Sequence, residues 1–247
     1  MAVDTPKGFR EVLVDFEYDC IGTAAGNGIR VLNSSDTNDT AYDATASAMG
    51  DTARGTTSGT AGDTANLIEL SLAALAYRVQ DGQLIGEVRQ QQDVITNCAM
   101  NFGFNDDALD DSNTLPVELS GTTFTRNTND GVIFCFDTDA TNDDWHAVWV
   151  DDSTVTSTAI AKLRFDGASG KAAAYWTWRI ALTDQGSGNR AIAVFSIDTD
   201  GGTHYEKEFA DVIDRDVLLT LYTGVENRTA TAHQSDVDYL YLCASRV

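Results

Sequence analysis

Proline, cysteine and positive charge are all scarce in this 247-residue chain, which holds 2 Pro, 4 Cys and 16 Lys plus Arg against 38 Asp plus Glu. With Pro6 and Pro116 alone, no proline-rich linker divides it. Cys20, Cys98, Cys135 and Cys243 are scattered, without Cys-x-x-Cys or Cys-His spacing. Neither a zinc site nor a redox pair is therefore encoded locally. Two disulfides remain open, but four cysteines are too few to form a scaffold at this length. The formal charge of −22 and the pI near 4.1 repel phosphate backbones and anionic headgroups, which argues against nucleic acid and membrane surfaces as partners. No run approaches the length that spans a bilayer. The start, MAVDTPKGFR, lacks an apolar stretch of the secretory type, so the expectation is cytoplasmic synthesis without a standard export signal. The local anchors of several enzyme classes are missing too: there is no GxSxG, HExxH, GxxxxGK[ST] or helix-opening GxGxxG.

What is present is a β pattern. Hydrophobic residues make up 43% of the chain, enough for a core. REVLVDFEYD alternates with period two, Val12, Val14 and Phe16 against Leu13 and Asp15. LIELSLAALAYRV, from Leu67 to Val79, has Ala and Leu content that also suits a helix; it is assigned here as a strand. Asp81-Gly82 follows it, with the residue types of a tight hairpin turn. AMNFGFND, GVIFCFDTD, WHAVWVDD, KLRFDG, AAYWTWRIALTD, AIAVFSIDTDG, HYEKEFAD, VLLTLYTGVE and VDYLYLCA then read as short strands between Asp, Gly, Asn and Ser clusters. In AAYWTWRIALTD, Trp176, Trp178, Ile180 and Leu182 share a face, and DQGSGN turns the chain into AIAVFSID, predicting a central hairpin. From about 33 to 64 the chain turns to Thr, Ala, Gly, Ser and Asp, which predicts a low-complexity loop or arm. The expectation is one all-β domain over 1–247, a two-sheet antiparallel jelly-roll sandwich.

Candidate chemistry is thin. His146, His204 and His233 are isolated, without the orienting partner that a catalytic histidine needs. Glu206 and Glu208 have the i, i+2 spacing of glycosidase carboxylates but bracket Lys207, and they read as an exposed edge of alternating charge. Asp137, Asp139, Asn142 and Asp143 in DTDATNDD, with Asp198 and Asp200 in DTDGG, place oxygens at alternate loop positions, as calcium sites do. They do not match the twelve-residue EF loop, and Asp-rich turns are usually only turns. Trp145, Trp149, Trp176 and Trp178 could stack on sugars but sit in strand patterns that favour the core. Cys135 and Cys243 read as small core hydrophobes. No catalytic, cofactor-binding or metal-binding residue is assigned, and calcium is the only cofactor considered.

The runs NFGFNDD, LPVELSG and GVIFCFDTDATNDDWHAVWV, between Asn101 and Val150, resemble segments of tailed-phage virion proteins built on a concanavalin-A-like lectin or glucanase jelly roll. The C-terminal LTLYTGVENRTATAHQSDVDYLYL does so as well, through Tyr222 to Arg228 and Asp236 to Tyr239. The resemblance covers about the C-terminal 150 residues. It implies a non-enzymatic virion protein, a decoration or cement subunit on the capsid surface, assembled in the host cytoplasm, with the major capsid protein and further copies of itself as partners. The alternative is a carbohydrate-binding fibre or tail component recognising a host glycan. A glycoside hydrolase on the same fold comes third and needs two carboxylates facing one groove.

Overall fold

The computed structural model describes residues 2–4, 9–15, 29–33, 40–47, 50–57, 66–72, 77–106, 114–151, 154–155, 164–186, 188 and 190–245. The first strands in chain order are β1 (Ala2–Asp4), β2 (Phe9–Asp15), β3 (Ile29–Asn33), β4 (Thr40–Ser47), β5 (Gly50–Thr56) and β6 (Leu67–Leu72). After them come β7 (Leu84–Gln92), β8 (Cys98–Asn105), β9 (Val117–Ser120), β10 (Thr123–Arg126), β11 (Gly131–Asp137) and β12 (His146–Asp151). The series ends with β13 (Thr154–Val155), β14 (Trp176–Thr183), β15 (Ile192–Asp198), β16 (His204–Phe209), β17 (Thr220–Asn227) and β18 (Gln234–Ser245).

Two antiparallel sheets stack. One runs β1-β2-β18-β7-β14-β15-β16 with the β4–β5 hairpin joined to β18, and the other runs β13-β12-β11-β8-β17-β6-β3. The all-β jelly-roll sandwich read from the sequence is the observed architecture. Between the sheets lies one aromatic-rich core, in which Phe134 touches Phe102, Trp145, Phe165 and Phe195, and Trp145 packs on Trp178 with centroids 4.9 Å apart. The predicted β14–β15 hairpin is present in the predicted phase: Trp176, Trp178, Ile180 and Leu182 are buried, while Arg179 and Thr183 face out.

Three local readings change. Asp81-Gly82 closes no hairpin: a single 3₁₀ turn, Val79–Asp81, ends at Gly82 (φ 130°), and the chain passes from β6 in one sheet to β7 in the other. KLRFDG is not a strand among its described residues; Arg164 makes one isolated bridge to His146, and Phe165 to Gly167 turn beneath the core. The low-complexity segment carries the β4–β5 hairpin, whose β5 pairs with β18. Small Ala and Gly with β-branched Thr can extend and join an existing edge even with little apolar mass to bury. There Ala53 and Gly55 are buried, and Arg54 pairs with Asp236, its Nε–Oδ1 distance 2.6 Å.

Candidate functional site

Side chains alternate along a strand, so a sheet that buries one face in the sandwich must present the other outward. On the seven-stranded sheet this outward face is covered as well. Ile133 and Cys135 of β11 and Val148 and Val150 of β12 form a second apolar cluster with Val117, Leu119 and Phe124 of the β9–β10 hairpin. That hairpin is a separate two-stranded sheet lying across the face like a strap.

Beside this cluster the face becomes polar. Asn101, Asp137, Glu226 and Glu69 are all buried there, and the Tyr222 hydroxyl donates to Glu69. The centre of the layer is Arg228, just past the end of β17. Its Nε donates to Asp137 Oδ1 at 3.1 Å and its Nη2 to Asp137 Oδ2 at 2.5 Å. Its Nη1 donates to Glu118 Oε1 at 2.9 Å and also to Glu226 Oε1. Asp139 stands 4.0 Å away, so four carboxylates face a guanidinium whose side chain is only 11% exposed. The planar fork of arginine suits this arrangement, because it can serve two carboxylates in one plane and a third beside them.

The centre also holds the strap. The Leu119 amide donates to Asp137 Oδ2 at 3.1 Å, and the Val117 amide to Asn101 Oδ1 at 2.9 Å. At its tip, Gly121 exchanges backbone hydrogen bonds of 2.7 Å with the β11–β12 loop, donating to Asp139 and accepting from Thr141. The ring of His146 meets Phe124 edge-on, centroids 5.8 Å apart.

Electrostatics follow from burial. Loss of solvent pushes the Glu226 carboxyl up to about 7, against the lowering pull of Arg228 and with a further push from Glu118. Burial lowers the His146 imidazole to about 4. It works against the Arg228 charge also, but the hydrogen bonds that Arg228 donates to Asp137 and the charges of Glu226 and Asp137 outweigh it and hold the guanidinium above its usual value. Burial raises the thiols of Cys98, to about 12, and of Cys135, which suppresses the reactive thiolate in both.

The considered calcium oxygens are not gathered into a cation shell. Both oxygens of Asp137 are engaged by Arg228, while Asp139, Asn142 and Asp143 lie in an exposed turn. Among the described residues no group of three or more His, Cys, Asp and Glu is arranged to hold a metal. Asp198 pairs with His204 at 2.7 Å, and Asp200 with Lys171 at 2.8 Å. Glu206 and Glu208 stand exposed on β16, which ends its sheet, as their spacing around Lys207 predicts. Trp145, Trp176 and Trp178 are core and Trp149 is half-buried against Phe209, so none forms an exposed platform. His146, in β12, and His233, in the loop before β18, are buried, while His204, at the start of β16, is exposed. Cys98, Cys135 and Cys243 are free and buried, and Cys20 lies outside the described residues. Arg228, Glu118 and Glu226 were not singled out by sequence reasoning; the one signal was the VENR run, in which a cation follows a strand.

No protein-family model matches this sequence, and no curated protein matches it. Solved structures share the fold. A protein of unknown function from Shewanella oneidensis superposes with a TM-score of 0.59 at 13% identity, over 100% of this chain and 90% of that one. Peanut lectin bound to a 9mer peptide gives 0.56 at 10% identity, over 96% and 98%. An alginate lyase from Aplysia kurodai gives 0.55 at 7%, over 88% and 91%. At such identities the likeness establishes the lectin-like jelly roll, and function must come from the residues.

Proposed function

We propose that this chain is a non-enzymatic structural subunit that decorates the outside of a tailed-phage head, docking on the major capsid protein and presenting its acidic surface to solvent. The observation that carries this reading is the closed outward face of the seven-stranded sheet. Its carboxylates converge on Arg228 beneath the β9–β10 strap, which leaves no groove flanked by two free carboxylates for hydrolysis there. A decoration subunit needs solubility before docking and many modest contacts afterwards, and the charge of −22 with a rigid sandwich meets both needs. The same charge favours neither nucleic acid nor anionic membrane as partner, and no helix among the described residues is long and apolar enough to cross a bilayer. The resemblance of the FDTDATNDDW and VENR segments to virion proteins supports the location.

A second reading is glycan recognition on a fibre or tail. It is favoured by the fold shared with lectins, one of them solved in complex with galactose at 10% identity, and by the exposed Asp139, Asn142 and Asp143 turn at one rim of the sandwich. Immunogold electron microscopy of particles from the source system, with antibody to the purified protein, separates the two. Regular labelling over heads supports decoration and tail labelling supports the glycan reading; unlabelled particles overturn both virion locations. A glycan array read with and without chelator then tests sugar binding directly.

A further inference from the structure

From the way β9–β10 is held, we infer that this hairpin is a strap latched by Arg228, which opens as a unit while the sandwich stays folded and uncovers a polar groove on the outward face of the seven-stranded sheet. Four observations converge on it. The hairpin belongs to neither large sheet, so lifting it breaks no long strand ladder. Its apolar contact is the small cluster around Ile133, Cys135, Val148 and Val150, separate from the core between the sheets. Among the described residues its polar attachments to the sheet are Glu118 to Arg228, the Leu119 amide to Asp137, the Val117 amide to Asn101, the Cys135 thiol to the Val117 carbonyl, and the backbone pair at Gly121. Finally, the closed state is imperfect beneath it. Glu226 and His146 are both buried there, and loss of solvent raises the Glu226 carboxyl to about 7 and lowers the His146 imidazole to about 4, a cost that opening relieves by admitting solvent. Regions of few buried contacts open at lower free energy than the whole domain, and this strap is of that kind. The inference concerns the same face whose closed state carries the virion reading, and because the labelling below reads only the motion of the strap, its failure leaves that reading as it stands.

Two native thiols report on it. Cys135 lies under the strap, its Sγ 3.8 Å from the Val117 carbonyl oxygen, while Cys98 belongs to the core between the sheets. Both are fully buried, with thiols raised by burial, so neither reacts unless its cover is removed. The experiment is N-ethylmaleimide labelling of the native full chain, with the rate at each cysteine read by peptide mass spectrometry. Cys135 is expected to label at least about tenfold faster than Cys98, as local opening requires. Glu118→Gln, which removes one charged contact from the strap side, is expected to speed Cys135 by roughly tenfold and leave Cys98 unchanged. Arg228→Gln does the same more strongly where it folds, and the Glu118 variant carries the test where it does not. Equal rates at the two cysteines in the wild type, or equal acceleration of both in the Glu118 variant, would overturn the inference, because the strap would then move only with global unfolding.

Discussion

Arg228 and Asp137 meet across 91 positions of sequence as a two-point ion pair, Nε on one carboxylate oxygen and Nη2 on the other. Asp137 closes β11 and Arg228 follows β17, with β8 lying between these two strands in the sheet. The pair therefore ties the far ends of two non-adjacent strands, and Leu119 and Glu118 bring the strap to the same point.

Removing the cation leaves buried carboxylates facing one another. Arg228→Gln is expected to cost about 3–5 kcal/mol, read as a lower urea midpoint at unchanged slope. Arg228→Lys keeps the charge but not the fork and is expected to recover only part of that loss.

Stability against pH should report two opposed groups. Glu226 is raised from 4.5 to about 7 in the folded state, so its contribution is full below pH 4.5 and is lost as pH rises through 7. His146 is lowered from 6.5 to about 4, so its contribution is full above pH 6.5 and is lost as pH falls through 4. Each is of order 3 kcal/mol, and between pH 4.5 and 6.5 the two slopes oppose. Thermal melts of the wild type should be nearly flat there with respect to these groups, while Glu226→Gln should lose stability on acidification. His146→Asn should gain it.

Gly103 tests the closeness of β8 to β11. A Cβ there would lie 2.2 Å from the Val132 carbonyl oxygen, and the residue sits at φ 154°. Gly103→Ala is thus expected to destabilise by roughly 3 kcal/mol, visible as a lower melting temperature, because backbone rather than a side-chain tip must give way.

Trp178 packs between Trp145 and Trp176, with centroids 4.9 and 6.1 Å away. Truncation to alanine is expected to cost about 3–5 kcal/mol in equilibrium unfolding, whereas a surface tryptophan on a sugar-stacking platform would lose almost nothing.

Strands β8, β11, β12 and β14 to β18 were legible because their period-two or apolar patterns are bounded by turn residues, as in GVIFCFD and WTWRIALT, whereas the two- to four-residue strands β9, β10 and β13 are too short to show a period and were not read. Asp81-Gly82 misled because its residue types fit a primed turn equally well whether the flanking strands pair or diverge; only the destination of β7, in the other sheet, distinguishes the two. The β4–β5 hairpin was hidden because its cohesion comes from an edge supplied by β18 rather than from its own apolar residues. In the acidic loop, the oxygen spacing was visible, but the engagement of Asp137 by a cation far along the chain was not.

By itself the sequence determined the secondary-structure type, the sandwich and the burial of its aromatics, since these rest on periodicity and hydrophobicity, which are local. Only the tertiary structure decided that the outward face of one sheet is roofed by β9–β10 and that Arg228 binds both Asp137 and Glu118. Those contacts join segments separated by 91 and 110 positions, and their strength depends on burial and on the geometry of a planar cation, neither of which is encoded in neighbouring residues.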